Sequence, residues 1–272
     1  MNPGVPGGPR PLASGPRVPP PLVEVRDIRK VYGRRVVLDG VSLTLRPGEI
    51  VGVIGPGGHG KSVLLKTLPL LVRPDAGRVL FRGEDALRFG ARRLGALRRE
   101  FGYLFQNYAL FDSMTVFDNV AFPLRRAGVS EQEVAARVPR CLKRVGLGAA
   151  AGLYPDELSG GMKKRVGLAR AVVAQPPVAL YDDPSAGLDP VTSSKIFRLV
   201  AQLHAARRDA VTVVVSHDID RMRAVCGRYV MLQRGRVVFD GPEAALATAP
   251  QAVRDFFFGA AAASGAARRE DG

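Results

Sequence analysis

A glycine-rich segment near the start of the chain has the composition of a phosphate-binding loop. It matches the pattern GxxxxGK(S/T) with Gly55, Pro56, Gly57, Gly58, His59, Gly60, Lys61 and Ser62. Glycines let consecutive N–H groups turn towards a phosphate, a lysine reaches the terminal phosphates, and a hydroxyl can ligate Mg²⁺. The backbone N–H of Val63 can also meet a phosphate, whereas His59 occupies a position where the backbone matters more than the side chain. We therefore expect a nucleoside triphosphate site.

Two consecutive carboxylates follow an apolar run further along the chain. Residues 178–182 read Val-Ala-Leu-Tyr-Asp, and Asp183 comes directly afterwards. A buried strand that ends in a carboxylate can hold Mg²⁺ and its waters beside the phosphates, which is the role we expect of Asp182. Asp183 is then placed to polarise an attacking water. Together with the loop, this pair predicts nucleotide hydrolysis.

A second candidate phosphate-binding segment lies between these two motifs. Residues 158–162 read Leu-Ser-Gly-Gly-Met, and the apolar spacing after them is typical of a helix. Ser159 can cap that helix, and Gly160 and Gly161 leave its first N–H groups open to an anion. One loop already accommodates a triphosphate, so this second segment calls for a separate explanation.

The elements that must position these motifs can be read from the apolar spacing. Residues 23–45 predict an antiparallel sheet with a turn at Tyr32 and Gly33, and residues 49–54 predict a strand that leads into the loop. A helix is expected from Lys61 until Pro69. Residues 178–181 and 210–215 have the composition of buried parallel strands, and residues 90–165 are rich in helical spacing. We infer an α/β core with a helical insert.

Composition restricts the classes of protein that remain. The 40 basic and 25 acidic residues give a charge of +15, which favours nucleotide phosphates, nucleic acid or an anionic membrane face. Two isolated cysteines suggest neither a disulfide framework nor a zinc site. No apolar run approaches the roughly 18 residues of a spanning helix. Residues 1–21 are rich in Pro and Gly, without a secretory signal, and we expect a disordered tail there and another over 260–272.

The motifs and their order resemble those of the ABC ATPase family over residues 23 to about 259. The resemblance implies a P-loop NTPase fold with a RecA-like core, an antiparallel β-subdomain and a helical insert over about 107–165. It implies ATP and Mg²⁺ as cofactors. It also implies a head-to-tail homodimer, in which Ser159, Gly160 and Gly161 of one copy close over the triphosphate bound by the other copy's loop.

Further positions match the family residue by residue. Tyr32 resembles the aromatic residue that stacks on adenine, Asp189 the residue of the D-loop, and His217 the switch histidine. Gln106 resembles the Q-loop sensor, which the family uses at the metal and in catalysis. Two positions depart from the family pattern: Met162 replaces a usual Gln, and Asp183 replaces the usual catalytic Glu. Aspartate is one methylene shorter, so we expect slow but real hydrolysis.

A narrower resemblance concerns the transported substrate. Residues 104–120 and the Leu-Ser-Gly-Gly-Met segment look like those of the Mla/Mce-type phospholipid transporter ATPases. This implies a multispanning permease, a periplasmic Mce-domain protein and a peripheral position on the cytoplasmic face of the inner membrane. Tyr108, Leu110, Phe111 and Phe117 could then line the groove for a permease helix.

Three alternatives are weighed against lipid transport. The ATPase subunit of a polar amino-acid or other small-solute importer would share every ATP motif. A slowly hydrolysing nucleotide switch would explain Asp183. A DNA-handling ATPase would explain the positive charge, but it predicts long coiled-coil insertions or tandem cassettes. The sequence has a single set of motifs, and Ser159 lies only 53 positions after Gln106. We therefore expect no nucleic-acid partner.

Overall fold

The strands of the chain form two sheets. A computed structural model describes residues 19–207 and 209–267. In that part of the chain the strands are β1 Val23–Tyr32, β2 Arg35–Leu45, β3 Ile50–Ile54, β4 Ala76–Phe81, β5 Glu84–Asp85, β6 Phe101–Leu104, β7 Val178–Asp182, β8 Val211–Val215, β9 Arg228–Gln233 and β10 Arg236–Pro242.

The helices cover both faces of the larger sheet. They are α1 Lys61–Thr67, α2 Ala91–Arg99, α3 Val116–Arg126, α4 Glu131–Arg144, α5 Gly160–Val172, α6 Pro190–Ala205, α7 Ile219–Arg223 and α8 Gln251–Ala267. Short 3₁₀ turns occupy Ala86–Arg88, Gly148–Ala150, Pro155–Glu157 and Glu243–Thr248. In the described residues, no helix combines the length and apolar character needed to cross a membrane.

The larger sheet has the strand order β10-β9-β3-β8-β7-β6. Its pairs are parallel except for the antiparallel pair of β9 and β10. Both faces are buried: along β7, Val178 and Leu180 join one hydrophobic cluster, whereas Ala179 and Tyr181 join the other. This alternation explains why the central strands read as continuous apolar runs. Ligand-binding loops of such sheets lie at the carboxyl ends of the strands.

The smaller sheet is antiparallel, with the order β2-β1-β4-β5. Its buried residues, among them Ile28 and Leu38, pack in the same cluster as Leu64 and Leu65 of α1. The β1–β2 turn is made at Gly33, whose φ is 58°. The sheet therefore rests against the helix that begins at the glycine-rich loop, and it brings Tyr32 and Arg35 towards that loop.

Helices α3, α4 and α5 form the helical insert between β6 and β7. Pro69 lies just beyond the end of α1. At the other end of the chain, α8 continues to Ala267, so a helix occupies residues 260–267, where we expected an unstructured segment. Alanine has the highest helix propensity, and residues 260–263 read Ala-Ala-Ala-Ala. The tail expected over residues 1–18 and 268–272 lies outside the described residues.

Candidate active site

The glycine-rich loop joins β3 to α1 in a conformation that requires several of its glycines. Gly55, Gly58 and Gly60 have φ values of 134°, 72° and 101°, which L-residues with a side chain rarely adopt. A Cβ on Gly55 would lie 2.1 Å from the carbonyl oxygen of Leu232, and one on Gly60 would lie 2.6 Å from that of Val37. The loop is therefore both twisted and tightly packed against neighbouring backbone.

Lys61 begins α1 and is buried beneath the loop. Its Nζ donates to the carbonyl oxygens of Gly55 and Pro56 at 2.7 and 2.8 Å. Burial lowers the pKa of the Lys61 ammonium, while Asp183 and Asp182 act in the opposite direction. The charge thus lies at the base of the loop, close to both carboxylates.

Ser62 and Asp182 bring two hard oxygen donors together. The Ser62 hydroxyl donates to Asp182 Oδ1 at 2.9 Å, and Tyr103 Oη donates to Asp182 Oδ2 at 3.3 Å. Burial raises the pKa of the Tyr103 phenol, so it remains a donor. A hydroxyl oxygen and a carboxylate beside a phosphate-binding loop are ligands that Mg²⁺ prefers. These residues fit that metal.

Asp183 is held in an unusual backbone conformation at the end of β7. Its φ is 51°, its N–H donates to the carbonyl oxygen of Val215 at 2.8 Å, and the Ser216 hydroxyl donates to Asp183 Oδ1 at 3.2 Å. Burial raises the pKa of Asp183, with His217, the Ser216 hydrogen bond and Lys164 opposing it. A carboxylate with a raised pKa beside an imidazole can take part in proton transfer.

Most of the residues expected to bind nucleotide line one cavity of about 420 Å³. It lies between the smaller sheet, the loop and the carboxyl ends of β7 and β8. The expected residues on its wall are Tyr32, Gly58, Gly60, Lys61, Ser62, Val63, Gln106, Asp182, Asp183 and His217. Tyr32 is half-exposed, and the Lys30 ammonium lies 5.2 Å from its ring centroid.

The remaining loop residues contribute outside the cavity wall. Gly55 and Pro56 supply the carbonyls that accept from Lys61, and Gly57 is exposed. His59 Nδ1 accepts a hydrogen bond from the N–H of Arg234 at 3.2 Å. His59 therefore attaches the loop to the turn between β9 and β10.

Ser159, Gly160 and Gly161 lie apart from the cavity wall at the start of α5. Ser159 caps the helix, its hydroxyl accepting from the N–H of Met162 at 3.3 Å. Ser159 and Gly160 are exposed. The structure thus presents the second predicted phosphate-binding segment on the surface, where the chain's own loop does not meet it. Asp189 caps α6 in a similar way, accepting from Val191 and Thr192.

Two cations at the site were missed by the sequence analysis. Arg35 lines the cavity, and its Nη2 donates to the carbonyl oxygen of Gly58 at 2.9 Å. Lys164 is fully buried in α5. Only the position of Arg35 three residues after Tyr32 could have drawn attention to it, and no pattern marked Lys164.

A second cavity, here called the insert groove, has a volume of about 790 Å³ and lies between α2, β6 and α3. Its wall includes Phe105, Phe111 and Phe122, with Arg99 and Arg126 beside them. Of the four residues expected to line such a groove, only Phe111 does so.

The other three have different positions. The Tyr108 ring lies beneath the Lys164 ammonium, and Leu110 and Phe117 pack against the core. Buried Asn119 explains the difference, because it exchanges hydrogen bonds with the backbone of Phe111 and turns that segment back onto the insert.

Comparisons with known proteins agree with this geometry. The family model described as "ABC transporter" matches residues 38–186. The methionine import ATP-binding protein MetN of Caulobacter vibrioides is 44% identical over 223 residues, covering 81% of this chain and 67% of the relative. The corresponding protein of Carboxydothermus hydrogenoformans is 40% identical and is covered over 66% of its length. The chain thus spans about two thirds of these relatives.

Solved structures resemble the fold over a similar extent. The dimeric structure of MJ0796, a bacterial ABC transporter cassette, has a TM-score of 0.75 and 32% identity, covering 81% of this chain and 98% of the other. A dimeric post-hydrolysis state of the same cassette is bound to ADP and Pi and has a TM-score of 0.74. The structure of cbiO1 from Clostridium perfringens, part of a transporter complex, has 29% identity and a TM-score of 0.74.

Proposed function

Because the chain belongs to the ABC transporter family as an ATP-binding subunit that couples ATP hydrolysis to transport, we propose that it energises the import of a small solute of the amino-acid class. The cavity that brings the Lys61 ammonium, the Ser62–Asp182 pair and Asp183 together carries the assignment of ATP hydrolysis. The solute class is supported by methionine importers at 39–44% identity over more than 80% of the chain.

The polar and aromatic residues expected at the site have separate roles in this proposal. Lys61 binds the terminal phosphates, and Tyr32 stacks on the adenine ring. Ser62 and Asp182 hold Mg²⁺, with Gln106 approaching from the Q-loop. Asp183 orients the attacking water and accepts its proton, and His217 lies beside it. When bound, Mg²⁺ neutralises charge on the phosphates, and these side chains fix the geometry around it.

The exposed Ser159 segment supports a head-to-tail homodimer. A helix start capped by Ser159 and followed by two glycines offers N–H groups to an anion, and no phosphate-binding loop of its own chain faces it. In the proposed dimer it completes the site of the partner, and ATP therefore stabilises the pair. MJ0796, which has a similar fold, is dimeric in its solved structure.

The insert groove is the proposed contact with a multispanning permease, which would keep the subunit peripheral on the cytoplasmic face of the membrane. Exposed Phe111 packs on Phe122 with 4.7 Å between ring centroids, and both line the groove. An apolar helix from the permease would cover these rings. Phe111→Ala should weaken co-purification with the permease while ATP binding by the isolated chain is unchanged.

Phospholipid transport with an Mce-domain partner is the second candidate. It is supported by residues 104–120 and by Met162 in the segment before α5. Replacement of Glu by Asp183 supports a third candidate, a nucleotide switch with little turnover. Proteoliposomes that contain the subunit and its permease distinguish all three. Import predicts ATP-dependent uptake of a labelled amino acid, and lipid transport predicts movement of labelled phospholipid. A nucleotide switch predicts that neither substrate moves and that phosphate release is negligible.

A further inference from the structure

The ammonium of Lys164 is surrounded by two hydrogen-bond acceptors and an aromatic ring. It donates to the carbonyl oxygen of Gln106 at 2.8 Å and to that of Asp183 at 3.1 Å, and it lies 4.6 Å from the centroid of the Tyr108 ring. The side chain is completely buried. A buried ammonium is costly unless its protons are satisfied. These contacts therefore hold three elements together: α5, the segment after β6 and the end of β7.

The two carbonyl oxygens that accept from Lys164 belong to residues on the wall of the nucleotide cavity. Asp183 has a positive φ, which is unfavourable for a residue with a side chain and persists only where several contacts enforce it. The Val215 carbonyl holds its N–H and Ser216 holds its carboxylate. Lys164 holds the third polar group of the residue, its carbonyl oxygen.

We propose that Lys164 is a positioning residue for ATP hydrolysis, which holds Asp183 and the Gln106 segment in register with the helix that begins after Ser159. The inference rests on the proposed role of Asp183 as the group that orients water. In a reaction that depends mainly on positioning, a small displacement of that carboxylate lowers the rate without removing the phosphate-binding contacts.

The test compares Lys164→Met and Lys164→Gln with Lys163→Met in the full-length protein. Methionine keeps most of the apolar stem without charge or donors, and glutamine keeps N–H donors without charge. Lys164→Met should lower kcat about tenfold with the KM for ATP within about twofold. Lys164→Gln should recover part of kcat, because its amide can still donate to one of the two carbonyl oxygens. Lys163→Met should resemble the wild type.

Two results would overturn the proposal. One is a wild-type kcat in Lys164→Met, and the other is a loss of activity in which the KM for ATP rises well beyond twofold. If Lys164→Met does not fold, Lys164→Gln decides alone, since a wild-type kcat or a large rise in KM in that variant refutes the proposal. Asp183→Asn separates the two hypotheses. If it hydrolyses ATP normally, the role of Asp183 is wrong, whereas an inactive Asp183→Asn beside a normal Lys164→Met refutes only the role of Lys164.

Discussion

The Ser62 hydroxyl lies 2.9 Å from Asp182 Oδ1, although 120 positions separate the two residues in the chain. The contact forms because β3 and β7 both border β8 in the parallel sheet, so the loops at their carboxyl ends meet. A hydroxyl and a carboxylate thereby converge beside the phosphate-binding loop. This pair is the proposed Mg²⁺ site.

Ser62→Ala should raise the Mg²⁺ concentration required for half-maximal ATP hydrolysis by about tenfold, because one oxygen ligand is lost. Titration of phosphate release against MgCl₂ measures the change. Ser62→Thr retains the hydroxyl and serves as the matched control. Hydrolysis should stop on addition of EDTA in every variant. An unaltered Mg²⁺ requirement in Ser62→Ala would exclude the hydroxyl as a ligand.

Lys61→Met should weaken ATP binding about 100-fold, since two charge-assisted hydrogen bonds to phosphate contribute roughly 3 kcal/mol. Equilibrium binding of a fluorescent ATP analogue measures the affinity. Lys66 lies five residues after Lys61 on the same helix, is half-buried and does not line the cavity, so Lys66→Met is the control. Comparable affinities for the two variants would contradict the assignment of the loop.

Tyr32→Ala should weaken ATP binding roughly tenfold, because stacking of a base on an aromatic ring contributes about 1–3 kcal/mol. Tyr32→Phe preserves the ring and should bind like the wild type. The side chain is 49% exposed, so neither change should disturb the core. A parallel measurement with inorganic triphosphate tests the mechanism, since that ligand lacks a base and should bind both variants equally.

Asp183→Glu should increase kcat, by roughly tenfold, because the longer side chain brings its carboxylate closer to the attacking water. Wild-type hydrolysis should be slow and yet exceed that of Asp183→Ala. The comparison is made in single-turnover phosphate release at saturating ATP, which isolates the chemical step. A slower Asp183→Glu would mean that the site is built for the shorter side chain.

The pH dependence follows from the raised pKa of Asp183. A proton acceptor is lost on protonation, so activity should decline towards acid at a pH above the ordinary Asp value of 3.8. The folded state binds this proton more tightly than the unfolded state. Its contribution to stability is therefore present at low pH and is lost as pH rises through the folded pKa.

Asp183→Asn removes the free-energy cost of burying an ionised carboxylate at this position. It should raise the Tm near neutral pH, with each 1 kcal/mol giving roughly 2–4 °C, and the gain should vanish in acid. Differential scanning fluorimetry at several pH values measures both trends. A gain in Tm that does not depend on pH would have a different origin.

Local patterns predicted much of the fold and of the nucleotide site. The phosphate-binding loop is formed by backbone conformations within eight consecutive residues, including Gly55, Gly60 and Lys61. Its presence can therefore be predicted from the sequence alone. The strands β3, β7 and β8 were visible because both of their faces are buried, which leaves continuous apolar runs. The convergence of Asp182 with Ser62 then followed from parallel topology.

Other features depend on contacts that no local pattern encodes. Lys164 looks like any surface lysine of a helix, and it is buried because Gln106, Tyr108 and Asp183 approach it. Arg35 reaches Gly58 from a different sheet. The outward position of Phe111 depends on hydrogen bonds to Asn119, eight residues later. The final helix was missed because an alanine-rich segment without polar spacing can be either helix or coil.

The packing of Gly55 against Leu232 and the hydrogen bond from Arg234 to His59 have a practical consequence for truncated proteins. A fragment that ended shortly after His217 would keep every motif residue of the ATP site. It would lack β9, however, so the loop would lose one wall and the parallel strand beside β3. We expect such a minimal cassette to be insoluble or unable to retain nucleotide. Any shortened version made for crystallisation or for fusion to other domains should therefore preserve the chain at least through β10.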